Sequence, residues 1–160
     1  MHSRIFQMTE AVKDKKDYIK PSDYYDHWFT SSVADYVSEA GEREEEIQDW
    51  LSDIKGCRIE REGERFVFLV EDKKAFFKQK YEGFVFRLNK LTEYSFEDFC
   101  EGNAGMSSMM WHLNNCYSGG FELYIEDSGE WEGVQTLEKF IRRAEERKRY
   151  YIGGVVDYHY

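Results

Sequence analysis

Large apolar side chains recur along Lys73–Leu91 with the period of a helix. Phe77, Tyr81, Phe84, Leu88 and Leu91 follow one another at steps of four, three, four and three. That spacing places five bulky residues on one side of an α-helix. Phe76 and Val85 widen the stripe, while Phe86 falls on the opposite side. A helix apolar on two sides is expected to be covered on both. The segment therefore reads as the element on which the rest of the chain packs.

The pattern before it predicts a short strand over Ser3–Met8 and a polar connection over 9–20. Pro21 and Ser22 then open a helix that Gly41 ends, with Tyr25, Trp28, Phe29, Ser32, Val33, Tyr36 and Val37 inward. Asp23 and Asp26 suit the positive end of its dipole. A second helix spans about Glu42–Lys55, acidic in its first turn, with Gly56 just past its end. CRIERE and ERFVFLVE around Glu62-Gly63 predict a β-hairpin. Its second arm is apolar from Phe66 to Val70 and suits a central strand, whereas the first alternates and suits an edge.

After the long helix, Ser95 and Asp98 form a capping-box pattern for a short helix ending near Gly102. GNAG at 102–105 reads as a loop, and Met106–Tyr117 as a further helix with Met109, Met110, Leu113 and Tyr117 inward. Phe121–Glu126 alternates like a half-buried strand. DSGEWEG is a turn or loop. Gln135 or Thr136 caps a last helix, and YYIGGVVDYHY reads as a closing strand with a bulge or close approach at Gly153-Gly154. The order is that of an α+β fold: a small, mostly antiparallel sheet of about five strands with helices packed on it, one domain over residues 1–160.

Composition sharpens this picture through its charge. The chain of 160 residues has a net charge of −10 and contains 28 aromatic residues, which excludes disorder as a description of the whole. The charge is uneven. Residues 41–72 balance to −6 and residues 73–92 to +5, whereas 93–134 hold nine acids and no Lys or Arg. Three cysteines, Cys57, Cys100 and Cys116, cannot all pair within one chain. MHSRIFQM lacks the apolar core of a signal peptide, and no run is apolar enough to span a membrane. These features lead to the expectation of a cytoplasmic protein with free thiols.

The candidate chemistry is sparse. His112 and Cys116 stand four apart on a helix with Cys100 upstream, a set that zinc accepts in type. They lack a C-x-x-C pair and an evident fourth ligand, and the stretch lacks the cations that would activate a thiol. Asp26, His27 and Asp35 suggest acid/base work, but neighbouring helix residues diverge by about 100°. Asp157 and His159 share one face of the last strand. No glycine cluster matches a nucleotide-binding loop, and neither G-x-S-x-G nor H-E-x-x-H is present. DSGE lacks the twelve-residue calcium pattern. The basic residues of 73–90 and 142–149 lie beside strongly acidic stretches, which opposes direct nucleic-acid binding.

What remains is the acidic run itself. Tyr94, Phe96, Trp111, Tyr124 and Trp131 are interleaved with its carboxylates. Such a surface imitates a phosphate backbone with its bases. In composition it resembles phage-borne inhibitors of bacterial defence, the antirestriction and anti-CRISPR proteins, although no motif carries the likeness residue by residue. The sequence reading is thus a non-enzymatic acidic binding protein that occupies a basic, nucleic-acid-binding surface of a partner protein, with no cofactor and no metal. Glu122, Glu126, Asp127, Glu130, Trp131 and Glu132 are its expected contacts, because strand ends and loops present side chains freely. Two alternatives stand beside it: a metal-binding or enzymatic domain centred on Cys100, His112 and Cys116, and a structural subunit of a larger complex.

Overall fold

Seven strands form one mixed sheet among the residues that the computed structural model describes, namely 2–50, 52, 54–126 and 133–160. β1 (His2–Thr9) and β7 (Arg149–His159) run antiparallel at its centre. On its other side β1 pairs in parallel with β5 (Phe121–Ile125), which carries β6 (Val134–Thr136) antiparallel. The second edge of β7 is shared. Its first half takes β4 (Arg65–Val70), and its second half takes β2 (Tyr36–Glu39). β3 (Cys57–Glu62) closes the edge beyond β4. The α+β class and the mostly antiparallel pairing agree with the sequence reading, while the strand count exceeds it by β2 and β6.

β2 corrects the expected helix of 22–40. That stretch holds a 3-10 turn at Pro21–Tyr24 and a short helix, α1 (Trp28–Ser32), before it extends into β2. The helical spacing of Tyr36 and Val37 with Trp28, Phe29 and Val33 is overridden by the vacant edge of β7. Tyr36–Glu39 satisfies its backbone there, in register with His159–Val156. The next helix, α2 (Arg43–Trp50), is also shorter than its acidic start suggested.

The two faces of the sheet carry separate cores. One unites Phe6, Met8, Ile47, Phe66, Phe68, Phe76, Leu123, Ile141 and Ile152 under α2 and α6 (Leu137–Arg143). The other unites Ile5, Ile19, Tyr24, Phe29, Val134, Val156 and Tyr158 under the 15–35 segment. Ile5 and Phe6, adjacent on β1, serve opposite cores, as do Val155 and Val156 on β7. Two covered faces explain why β4 reads as an unbroken apolar run from Phe66 to Val70.

β1 buries two polar side chains, Thr9 at its end and Gln7 in its interior. Gln7 Oε1 accepts from the backbone N–H of Ile19 at 3.1 Å and of Gly154 at 2.8 Å. Its Nε2 donates to the Asp17 carbonyl and to Glu126 Oε1, each at 3.2 Å. The β1–β7 register shifts at this point, between Phe6 and Met8. A Cβ on Gly153 would lie 2.2 Å from Gln7 Oε1, and one on Gly154 only 2.8 Å from the Ile19 backbone. The glycine pair therefore marks both a register shift and a close approach.

α3 (Lys73–Leu91) has the extent that its periodicity predicts, with Asp72 accepting from the Ala75 N–H as its cap. Its role differs from the expectation. Phe76 is its only fully buried residue, whereas Tyr81, Phe86 and Leu88 are exposed. The sheet faces are already covered by α2, α6 and the 15–35 segment, so only the first turns of α3 reach the body. There Lys80 Nζ meets Glu138 Oε1 at 2.6 Å, and Arg142 stacks over the Phe77 ring. The rest of α3 packs on α5 (Ala104–Ser118), antiparallel to it through the short α4 (Phe96–Glu101). Ser95 and Asp98 form the expected capping box, and Gly102 ends α4 at φ 70°. Asn103 caps α5 two residues earlier than the sequence suggested. α3, α4 and α5 thus form an arm on the body, and the fold is built around β1 and β7 instead.

Candidate functional site

An open cleft of about 1060 Å³ lies between the 24–35 segment and the β5–β6 end of the sheet. Local sequence builds its first wall. Tyr24 is buried and anchors the segment, with its ring edge-on to His27, Phe29 and Tyr124 at centroid distances of 5.5–6.2 Å. His27 Nδ1 accepts from the Phe29 N–H at 3.2 Å and so caps α1. Thr30 Oγ1 donates back to the carbonyls of Tyr24 and His27. These bonds fix the chain in a tight bend and turn Tyr25, Asp26, Trp28, Ser31 and Asp35 toward the cleft.

Tyr124, Ile125, Glu126 and Gly133 form the opposite wall. Glu126 pairs with Lys13 and accepts from Gln7 Nε2, so the buried Gln7 network reaches the cleft. Asp35 Oδ2 lies 3.0 Å from His159 Nδ1, with the Asp35 side chain 72% exposed. Tyr25 is 76% exposed. The lining therefore holds three carboxylates, four aromatic or imidazole rings and no Lys or Arg among the described residues.

The ionisation of the cleft follows from its surroundings. Partial burial lowers the His27 pKa, and an acceptor Nδ1 keeps the ring neutral with its proton on Nε2. Burial raises the Tyr124 phenol above its usual range, and the charge of Glu126 raises it further. The aromatic groups therefore stay neutral at pH 7, and the fixed charges of the lining are carboxylates.

Of the residues expected from sequence to make contacts, two, Glu122 and Glu126, are among the described residues, and they take different directions. Glu122 is half-buried and turned inward, where its Oε2 accepts from Trp50 Nε1 at 3.0 Å. Desolvation raises its pKa, as does the nearby Glu138. Trp50 in turn stacks on Phe6 at 4.1 Å. Glu126 does line the cleft. Asp127, Glu130, Trp131 and Glu132 lie outside the described residues. Glu93, Glu97, Asp98 and Glu101 lie at the far end of the arm, where Glu93 pairs with Lys90 and Asp98 with the α4 cap. Among the described residues the acids of the run do not form one patch, because those before and within α4 lie on the arm and Glu122 and Glu126 lie on the body.

Other candidates resolve similarly. Cys100 and His112 are exposed, and Cys116 is half-buried near Gly83. No group of three or more His, Cys, Asp or Glu among the described residues is placed to hold a metal. Asp157 and His159 bond elsewhere: Asp157 to Arg4 at 2.5 Å and to His2 at 2.8 Å, and His159 to Asp35. Asp26 and Asp35 share the cleft wall without bonding to His27. In sequence the two aspartates stand as acid/base candidates, and the signal for their placement is the density of caps and rings over 22–36, whose spacing predicts one long helix. No helix among the described residues is long and apolar enough to cross a membrane. Comparison with known proteins gives no match: no family model, no curated protein and no solved structure is significantly similar to the chain.

Proposed function

We propose that the protein is a non-enzymatic binding protein whose acidic, aromatic cleft receives a basic segment of a partner protein, of the kind that nucleic-acid-handling enzymes present. The observation that carries this reading is the lining itself, with Asp26, Asp35 and Glu126 among Tyr25, His27, Trp28 and Tyr124 and no Lys or Arg among the described lining residues. Lysine and arginine heads are held by carboxylates and by aromatic faces together. A negative field speeds encounter with such partners and weakens with salt.

Titration with an oligoarginine peptide, followed by tryptophan fluorescence and by NMR, tests the reading. Binding that shifts residues 25–35 and 124–126, weakens as salt rises, and is lost in Asp26→Lys with Asp35→Lys supports it. Both aspartates are exposed, so the reversals leave the fold intact. A peptide that does not bind, or that binds the double variant equally well, removes the reading. The alternative of a subunit within a larger assembly is favoured by a separate observation, the exposed apolar arm.

A further inference from the structure

No residue of α4 or α5 is fully buried, and α3 buries only Phe76. An antiparallel helix pair that shields so little apolar surface leaves an apolar face without a cover. Phe84, Leu91, Met106, Met110, Leu113 and Tyr117 line an apolar groove of about 530 Å³ between α3 and α5. Tyr81 and Leu88 extend it along the same side of α3, since steps of three, four and three from Tyr81 reach Phe84, Leu88 and Leu91. We propose that this face is a dimerisation surface, covered by the arm of a second copy of this chain in a two-fold, four-helix arrangement.

Charge selects the second copy as the occupant. Residues 73–118 carry six basic and five acidic side chains, a balance of +1, so the remainder of the chain carries −11. Two bodies of that charge repel each other, and the arm is the nearly neutral region through which copies meet. Within the arm the charges are segregated. α3 balances to +5, with Lys73, Lys74 and Lys78 at its root, whereas 92–118 balances to −4, with Glu97 and Glu101 in α4 at the far end. Arms aligned antiparallel about a two-fold axis place each basic root against the partner's acidic tip.

Area agrees. The large hydrophobic residues exposed on the arm are Tyr81, Phe86, Leu88, Phe96, Phe99, Met110, Trp111 and Tyr117. At roughly 200 Å² for a fully exposed side chain of this size, they present on the order of 900 Å² in total. A stable interface takes about 800 Å² from each partner. Phe86 faces away from the groove and lies outside such a contact, whereas the half-buried liners Phe84, Leu91, Met106 and Leu113 add their remaining exposed surface to it along the span of α3, about 28 Å.

Sedimentation velocity on the full chain from about 1 to 100 µM tests the inference, with Met110→Lys combined with Tyr117→Lys as the variant. Both side chains are more than half exposed, so the substitutions leave the monomer fold unchanged, which far-UV circular dichroism checks. The wild type is expected to sediment as a dimer. The variant is expected to dissociate with a Kd raised at least about a hundredfold, because two charges per copy enter an apolar contact. Asp26→Lys with Asp35→Lys should remain dimeric, which separates this surface from the cleft. A wild type that is monomeric throughout, whether or not another protein covers the arm, overturns the inference. So does a dimer that the arm variant leaves intact.

Discussion

Replacing Gln7 by Met tests whether one buried amide holds the two layers of the fold together. Methionine keeps the length and nearly the volume of glutamine, so the cavity contribution is small. What it removes is the acceptor. The Ile19 and Gly154 backbone N–H groups, bonded to Oε1 at 3.1 and 2.8 Å, are left unpaired in buried surroundings. Each orphaned buried donor costs about 1–3 kcal/mol, so the variant should lose about 2–5 kcal/mol. The two bonds given by Nε2 are only partly buried and add little. For a domain of this size the loss corresponds to a fall in Tm of roughly 5–15 °C. Urea unfolding, followed by tryptophan fluorescence and circular dichroism, measures it. Hydrogen exchange should show the amides of Ile19 and Gly154 losing protection before their neighbours. A loss below about 0.5 kcal/mol, with an unchanged m-value, would refute the assignment of Gln7 as the clasp between β1, β7 and the 15–19 segment.

Three further outcomes follow from the same physics. Phe76→Ala should cost about 3–5 kcal/mol, whereas Phe86→Ala on the exposed side of the same helix should stay within about 0.5 kcal/mol; similar losses at both would show that α3 is embedded along its length. Glu122 has a folded pKa raised by burial, so the native state holds its proton more tightly than the unfolded chain does, and its contribution is favourable below the unfolded pKa and lost as pH rises through the folded one. Glu122→Gln, which keeps an acceptor for Trp50, should therefore be more stable than wild type at pH 7, with the difference fading on acidification; a difference independent of pH would contradict this. Burial pushes the Cys57 thiol up to about 12, whereas Cys100 is exposed, so maleimide labelling at pH 8 followed by mass spectrometry should modify Cys100 at least about a hundred times faster.

The sequence by itself determined the elements whose signals are local. α3 begins and ends where its periodicity places it, Ser95 and Asp98 cap α4, and β3 and β4 pair as a hairpin with β4 inside the sheet. Each rests on contacts within a few residues, so the information lies where it is used. The character of β4 was legible for a related reason: a strand covered on both faces must be apolar throughout. Tertiary structure alone decided the rest. β2 is a strand because an edge of β7 lies open to Tyr36–Glu39, a fact stored about 120 residues away. α3 overhangs the body because other elements took the sheet faces first. Two acids of one run, Glu122 and Glu126, part company although positions four apart on a regular strand share a face: the β5–β6 register shifts between Phe121 and Leu123, and Glu126 follows the end of β5, so one turns to Trp50 and the other to Gln7, Lys13 and the cleft. Composition counts charges along the chain, whereas a surface is assembled from segments far apart in it. Asp26 and Asp35 therefore meet Glu126 across a cleft that no spacing in the sequence records.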